Sequence, residues 1–158
     1  MKKLILLCSV VFLMASCSIS KEARAKRNLL SGTWSLDNIA FENNTGNVKA
    51  VLFNDVEDIC LEGSDWFFRD NNSTGRYTIS PSTLCNGGPR YIRWSVVERD
   101  NGASQLQFKF INEKNQDISG GAGYRLDIES LNEYAMTLKS NAMVDGSSVN
   151  VLYEFSKK

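Results

Sequence analysis

Asp55, Glu57 and Asp58 lie close together in the chain, and paired carboxylates are the groups that carry out general acid and base hydrolysis. Spacing alone fixes neither their burial nor their separation, and a solvated acidic surface is the ordinary reading. The run Asp70-Asn71-Asn72-Ser73-Thr74-Gly75 places oxygen-bearing side chains and a glycine as the start of a calcium loop does, yet the closing position of such a loop falls on Pro81. Without the bidentate glutamate the cage is incomplete, so the run is expected to be a hairpin turn between Phe68 and Tyr77. Gly120-Gly121-Ala122-Gly123 is flanked by strand patterns, which leaves no helix N-terminus to hold a phosphate; a flexible loop is expected there. The chain contains no histidine, which removes Ser-His triads and His-containing zinc sites. No catalytic residue, cofactor or metal is expected.

These residues must be positioned by one domain, because 158 residues suffice for a single ordinary core. The folded part is shorter than the chain. Lys2 and Lys3 followed by the apolar stretch Leu4 to Met14 and the small residues Ala15 and Ser16 form an export signal over 1–16. An apolar run of about eleven residues is too short to anchor a helix across a bilayer. The segment Leu13-Met14-Ala15-Ser16-Cys17 resembles the lipobox of bacterial lipoproteins, which implies cleavage before Cys17 and a diacylglycerol thioether on its sulfur. The alternative is an ordinary secretory signal with Cys17 left as a spare thiol. Residues 17–30 then form a lipidated tether with a short helix, and 31–158 form the folded domain. Loss of Lys2 and Lys3 leaves 16 basic against 18 acidic residues, a formal charge of −2, which gives no reason to expect a nucleic acid partner. Ser18, with no acidic run after Cys17, fits the sorting rules for the outer membrane of a Gram-negative bacterium and its periplasmic face. The expected partners are therefore the membrane, through the lipid, and a small apolar ligand; the protein partner, if there is one, is unknown.

With Cys8 in the signal and Cys17 lipidated, Cys60 and Cys85 remain in an oxidising compartment and are expected to pair. Closing that loop is worth about 3.5 kcal/mol in the chain-entropy picture. No Cys-x-x-Cys is present, so a structural bridge is favoured over thiol chemistry.

Beyond residue 30 apolar and polar residues alternate with period two, broken by Gly, Asn and Asp. Leu106, Phe108 and Phe110 oppose Gln105, Gln107 and Lys109; Ile92, Trp94 and Val96 oppose Arg93 and Ser95; Tyr124, Leu126 and Ile128 oppose Arg125, Asp127 and Glu129. Tyr134, Met136 and Leu138 continue the apolar face. The predicted strands are 32–41, 47–53, 65–69, 75–80, 90–98, 104–111, 123–131, 133–140 and 148–156, with a helical turn near Asn54 to Ile59 carrying Cys60 toward Cys85. Short links between strands with one buried face predict an all-β, eight- or nine-stranded antiparallel up-and-down barrel with a short N-terminal helical entry. A β-sandwich is the rival, although few connections are long enough to cross over.

Gly32-Thr33-Trp34 at the opening of the first strand, followed by this meander, resembles the lipocalins and related calycins, and the mature chain is similar to a bacterial lipocalin-like lipoprotein. The resemblance implies that Gly32 starts the strand tightly and that Trp34 closes the barrel floor. It also implies a barrel whose interior, lined by Trp66, Phe68, Trp94, Phe108, Phe110 and Tyr124, holds a small apolar molecule. The alternative is that these side chains simply fill the core of a non-catalytic structural or protein-interaction module.

Overall fold

The computed structural model describes residues 19–42, 48–144 and 146–158. The export signal and Cys17 lie outside them. Ser20 caps the first helix, α1 (Lys21–Leu30), by accepting a hydrogen bond from the Ala23 amide at 3.0 Å, as a serine at an N-cap does. Ala23, Arg27 and Leu30 share one face of α1, and Ala23 and Leu30 are buried.

Eight strands follow in a closed barrel. They are β1 (Gly32–Phe41), β4 (Asp65–Arg69), β5 (Thr74–Ile79), β6 (Gly88–Glu98), β7 (Ser104–Phe110), β8 (Tyr124–Leu131), β9 (Ala135–Val144) and β10 (Ser147–Lys157), in the circular order β1-β10-β9-β8-β7-β6-β5-β4. All neighbours are antiparallel, and β1 closes the cylinder by pairing with β4 over Gly32 to Ser35 and with β10 over Trp34 to Phe41. Closure pairs every strand with a neighbour on each side over at least part of its length. Eight strands, not nine, make the wall, and the single layer excludes the sandwich.

The alternation in β6 carries over directly: Ile92, Trp94 and Val96 are buried, while Arg93 and Val97 on the other face are exposed; in β7 Leu106 and Phe108 are buried, but so is Gln105 on the opposite face, which donates to Asp127. Two local expectations differ. The stretch 47–53 is not a barrel strand. Its end forms β2 (Val51–Leu52), which pairs only with β3 (Val56–Glu57), and β3 runs into a short helix, α2 (Asp58–Leu61). This segment belongs to the connection between β1 and β4 and folds across one end of the barrel. Its alternation looks strand-like because one side of the segment, with Ala50 and Leu52, packs on the core. Tyr134, read as core, is exposed in the turn before β9, where the Asn132 carboxamide oxygen accepts from the Tyr134 and Ala135 amides at 2.8 Å; that turn ends the alternation before it reaches Tyr134.

α1 covers the opposite end. Arg27 donates to the Asp70 carboxylate at 2.7 and 3.0 Å, to the Asp70 carbonyl and to the Ser73 hydroxyl, and its guanidinium lies 4.7 Å above the Trp94 ring. Lys26 donates to Ser104 and Lys157 to the Leu29 carbonyl. Trp34, fully buried, donates from Nε1 to the Leu30 carbonyl at 2.8 Å beneath Lys157, so the floor is sealed by the helix and by the Gly-x-Trp tryptophan. Gly32 has φ +119°, a conformation side chains rarely adopt. Asp70 to Ser73 form the tight β4–β5 turn.

Candidate functional site

The barrel interior is aromatic from floor to rim. Trp66 stacks on Tyr77 at 4.5 Å and meets Phe68, Phe108 and Phe155 at 5.8 to 6.0 Å, while Phe68 sets its edge against Trp94 at 5.3 Å. Offset and edge-on rings at these distances are the favoured geometries. Trp66 Nε1 donates to the buried Ser64 hydroxyl at 2.9 Å and Trp94 Nε1 to the Thr74 carbonyl, so these indoles leave no donor unpaired. Toward the rim, Phe108, Phe110 and Tyr124 form a second group with centroids 5.2 to 6.0 Å apart. The six residues expected to line a ligand thus divide into a packed lower set and an upper set near the covered mouth.

Phe53 links the upper set to the segment that folds over it. Leu52 to Asp55 form a tight turn, with the Asp55 amide donating to the Leu52 carbonyl, and both central residues are left-handed, Phe53 at φ +55° and Asn54 at φ +50°. A bulky side chain in that region is a strained exception. Its ring enters the barrel and meets Phe108 at 5.0 Å, Tyr124 at 5.3 Å, Tyr153 at 5.5 Å and Trp66 at 6.1 Å.

The covering segment is fastened to the barrel at two places. Asp55 accepts from the Tyr77 hydroxyl at 2.7 Å and from Arg90 at 3.1 Å. Cys60 on α2 is bonded to Cys85 in the β5–β6 connection, with Cα atoms 5.4 Å apart. Within the segment Asp58 accepts from the Ala50 amide, so one acid of the sequence cluster is a latch and another a brace. Burial, and then the hydrogen bond to Asp55, push the Tyr77 hydroxyl far above its ordinary pKa, so it stays a donor at physiological pH. Among the described residues no group of three or more potential ligands could hold a metal ion.

Two openings border the covering segment and a third lies along the wall. The largest, about 790 Å³, is lined on its inner side by Phe53, Tyr124, Ser140 and Tyr153. Tyr153 shares a hydrogen bond of 2.9 Å with the Ser140 hydroxyl, and burial pushes its pKa up to about 12. A second, about 440 Å³, lies beside Phe110, Tyr91, Ile118 and Asn54. A third, about 530 Å³, runs along the outer wall past Arg93, Lys109, Arg125 and Gly121 to Gly123. There Asp117 is held below the usual carboxylate range by Lys109 and the Ser119 amide. Trp66 borders none of the three. Phe53, Tyr153, Tyr77 and Arg90 were not singled out from the sequence as site residues, and Asp55 was weighed only as an acid for hydrolysis. Asn54-Asp55 is a turn-favouring pair that marks this place.

A family model described as a lipocalin-like domain matches residues 30–144. The chain belongs to that family. The match spans the floor, the covering segment and the wall through the end of β9. Among solved structures, the chain is similar to a deswapped triple mutant of bovine odorant-binding protein, with 14% identity over 82% of this chain and 74% of that one and a TM-score of 0.42. It is also similar to bovine odorant-binding protein in complex with a selenium-containing odorant, with 15% identity over 89% of this chain and 78% of that one at a TM-score of 0.42. The same protein in complex with undecanal matches with 14% identity, 89% and 76% coverage and a TM-score of 0.42. No curated protein matches.

Proposed function

We propose that this lipocalin-like protein is a lipid-anchored binding protein of the cell envelope that holds one small apolar ligand in the upper half of its barrel. The observation that carries the reading is the cavity of about 790 Å³ that opens onto Phe53, Tyr124 and Tyr153. That volume falls within the range of small-molecule sites. Arg99, Arg125, Asp127 and Lys139 make its outer lining polar and charged, and Phe53, Tyr124 and Tyr153 supply its apolar part. The lipocalin fold is typically that of a binding protein, and of the acids that could suggest hydrolysis Asp55 holds Tyr77 and Asp58 holds the Ala50 amide.

The lipobox-like residues Leu13 to Cys17 and the following Ser18 support a diacylglycerol anchor on Cys17 in the outer membrane of a Gram-negative bacterium, facing the periplasm. Cys17→Ser would then release the protein from membranes. The binding reading is tested by native mass spectrometry of the full chain purified from membranes into nanodiscs. A single additional mass of a small molecule, removed by organic extraction, is expected. A second reading, a non-catalytic interaction module with a filled barrel, is favoured by Val51, Ile59, Leu84, Ile118 and Met143, all exposed at the covered end. It predicts an unliganded spectrum and crosslinks from these residues to another envelope protein.

A further inference from the structure

The barrel wall is split at its upper end. The β7–β8 ladder continues to Phe108 opposite Tyr124, and the β9–β10 ladder continues to Val144 opposite Ser147. Between β8 and β9, however, pairing stops at Asp127 opposite Lys139. Tyr124 to Leu126 and Ser140 to Val144 are thus each paired on their outer side and unpaired across the gap between them. A bulge between Ile128 and Ser130 sits just below the split, and bulges bend and twist the strand that carries them.

The cavity of about 790 Å³ passes through this split. Arg125, Asn141 and Met143, from the outer face of the wall, line it together with Tyr153 and Phe53. Tyr153 belongs to β10 and Phe53 to the covering segment, whose Val51, Leu52 and Asn54 also line the opening, so it runs between that segment and the two unpaired strand ends down to largely buried rings. The top of the barrel, by contrast, is closed by Phe53, by the Asp55 latch and by the Cys60–Cys85 bridge.

The lining changes character along the passage. Outside stand Arg99, Arg125 and Lys139. Arg99 is paired with Asp127 at 3.1 Å and Lys139 with Glu42 at 3.3 Å, whereas Arg125 makes no salt bridge among the described residues. Inside stand rings. A slender ligand with a negative head and an apolar tail matches that order, since a buried head group would lose its hydration without a partner while an exposed one meets guanidinium donors.

We propose that the gap between β8 and β9 is the ligand entrance, and that it selects a single-chain amphiphile whose tail lies beside Phe53 and Tyr153 and whose anionic head stays at Arg125. This rests on the small-ligand reading above and adds to it the route and the head-group chemistry.

The test uses the full chain in nanodiscs with cis-parinaric acid and its methyl ester, which share a tail and differ in head charge. Energy transfer from the barrel tryptophans that an excess of non-fluorescent oleic acid abolishes reports probe held at a saturable site on the protein, and the transfer that remains reports probe dispersed in the bilayer. The acid is expected to bind about tenfold more tightly than the ester, a difference of one carboxylate contact. Arg125→Glu is expected to abolish that preference and leave ester affinity within twofold. Ala142→Trp, which fills the gap, is expected to slow association of both probes at least tenfold, as is Asn141→Trp on the outer face should the first variant fold poorly. Ile118→Trp, at the other opening, is expected to leave the rate unchanged. Equal affinities for acid and ester, or rates untouched by both gap-filling variants, overturn the entrance and head-group assignment while leaving ligand binding standing. Absence of that saturable transfer from both probes overturns both.

Discussion

Phe53 is the residue on which the closed mouth depends, and truncating it separates two effects that point in opposite directions. Phe53→Ala removes a ring that meets four others at 5.0 to 6.1 Å, and buried Phe to Ala changes cost about 3–5 kcal/mol. Alanine at φ +55° retains a left-handed penalty of about 1–2 kcal/mol. Glycine removes that penalty but returns about 0.4–1 kcal/mol through the freedom of its unfolded chain. Phe53→Gly is therefore expected to be more stable than Phe53→Ala by about 0.5–1 kcal/mol, the reverse of the usual order in a strand. Urea unfolding of the full chain followed by tryptophan fluorescence measures both differences, with a common m-value as the check on two-state behaviour. An alanine variant as stable as the glycine one would refute the left-handed turn, and a loss below about 1 kcal/mol for alanine would refute the plug.

Arg27→Ala removes four hydrogen bonds and the cation above Trp94; a loss of about 2–3 kcal/mol in denaturant melts is expected, with Arg27→Lys recovering less than half because an ammonium cannot reproduce the fork. Tyr153 titrates at about 12 in the folded state against about 10 unfolded. A raised folded value means the native state holds its proton longer, so this stability is complete below pH 10 and falls away between pH 10 and 12, by roughly 3 kcal/mol. Tyr77 shifts in the same direction. Unfolding midpoints across that window should fall more steeply in the native sequence than in Tyr153→Phe. Thiol titration of the denatured, unreduced protein should find Cys60 and Cys85 unreactive, and Cys60→Ser with Cys85→Ser should lower stability by about 3 kcal/mol.

Residues 92–97 show why the wall could be read from the sequence: with one face in the core and the other outside, burial alternates with the pleat, and composition must follow it. The same logic gave the wrong element at 47–53. There the alternation reflects a short segment lying across the barrel mouth, and no local pattern distinguishes packing on a core from belonging to its wall. The turn that inserts Phe53 was hidden for a related reason. Turns with two left-handed residues are normally marked by Asn-Gly or Asp-Gly, and here tertiary contacts hold a phenylalanine in that place. The β8–β9 gap depends on the relative register of two strands, which residue spacing within either one does not encode. The Cys60–Cys85 pairing was legible because counting left only two candidates.

The central claim is that the upper barrel receives a small apolar molecule. Crystals of the protein grown with a bromine-labelled apolar ligand test it most directly, through the anomalous signal of the bromine. The account predicts one bromine site inside the ring of Phe53, Tyr124 and Tyr153. Bromine found only on the outer wall, or no site despite a fully diffracting crystal, would contradict it.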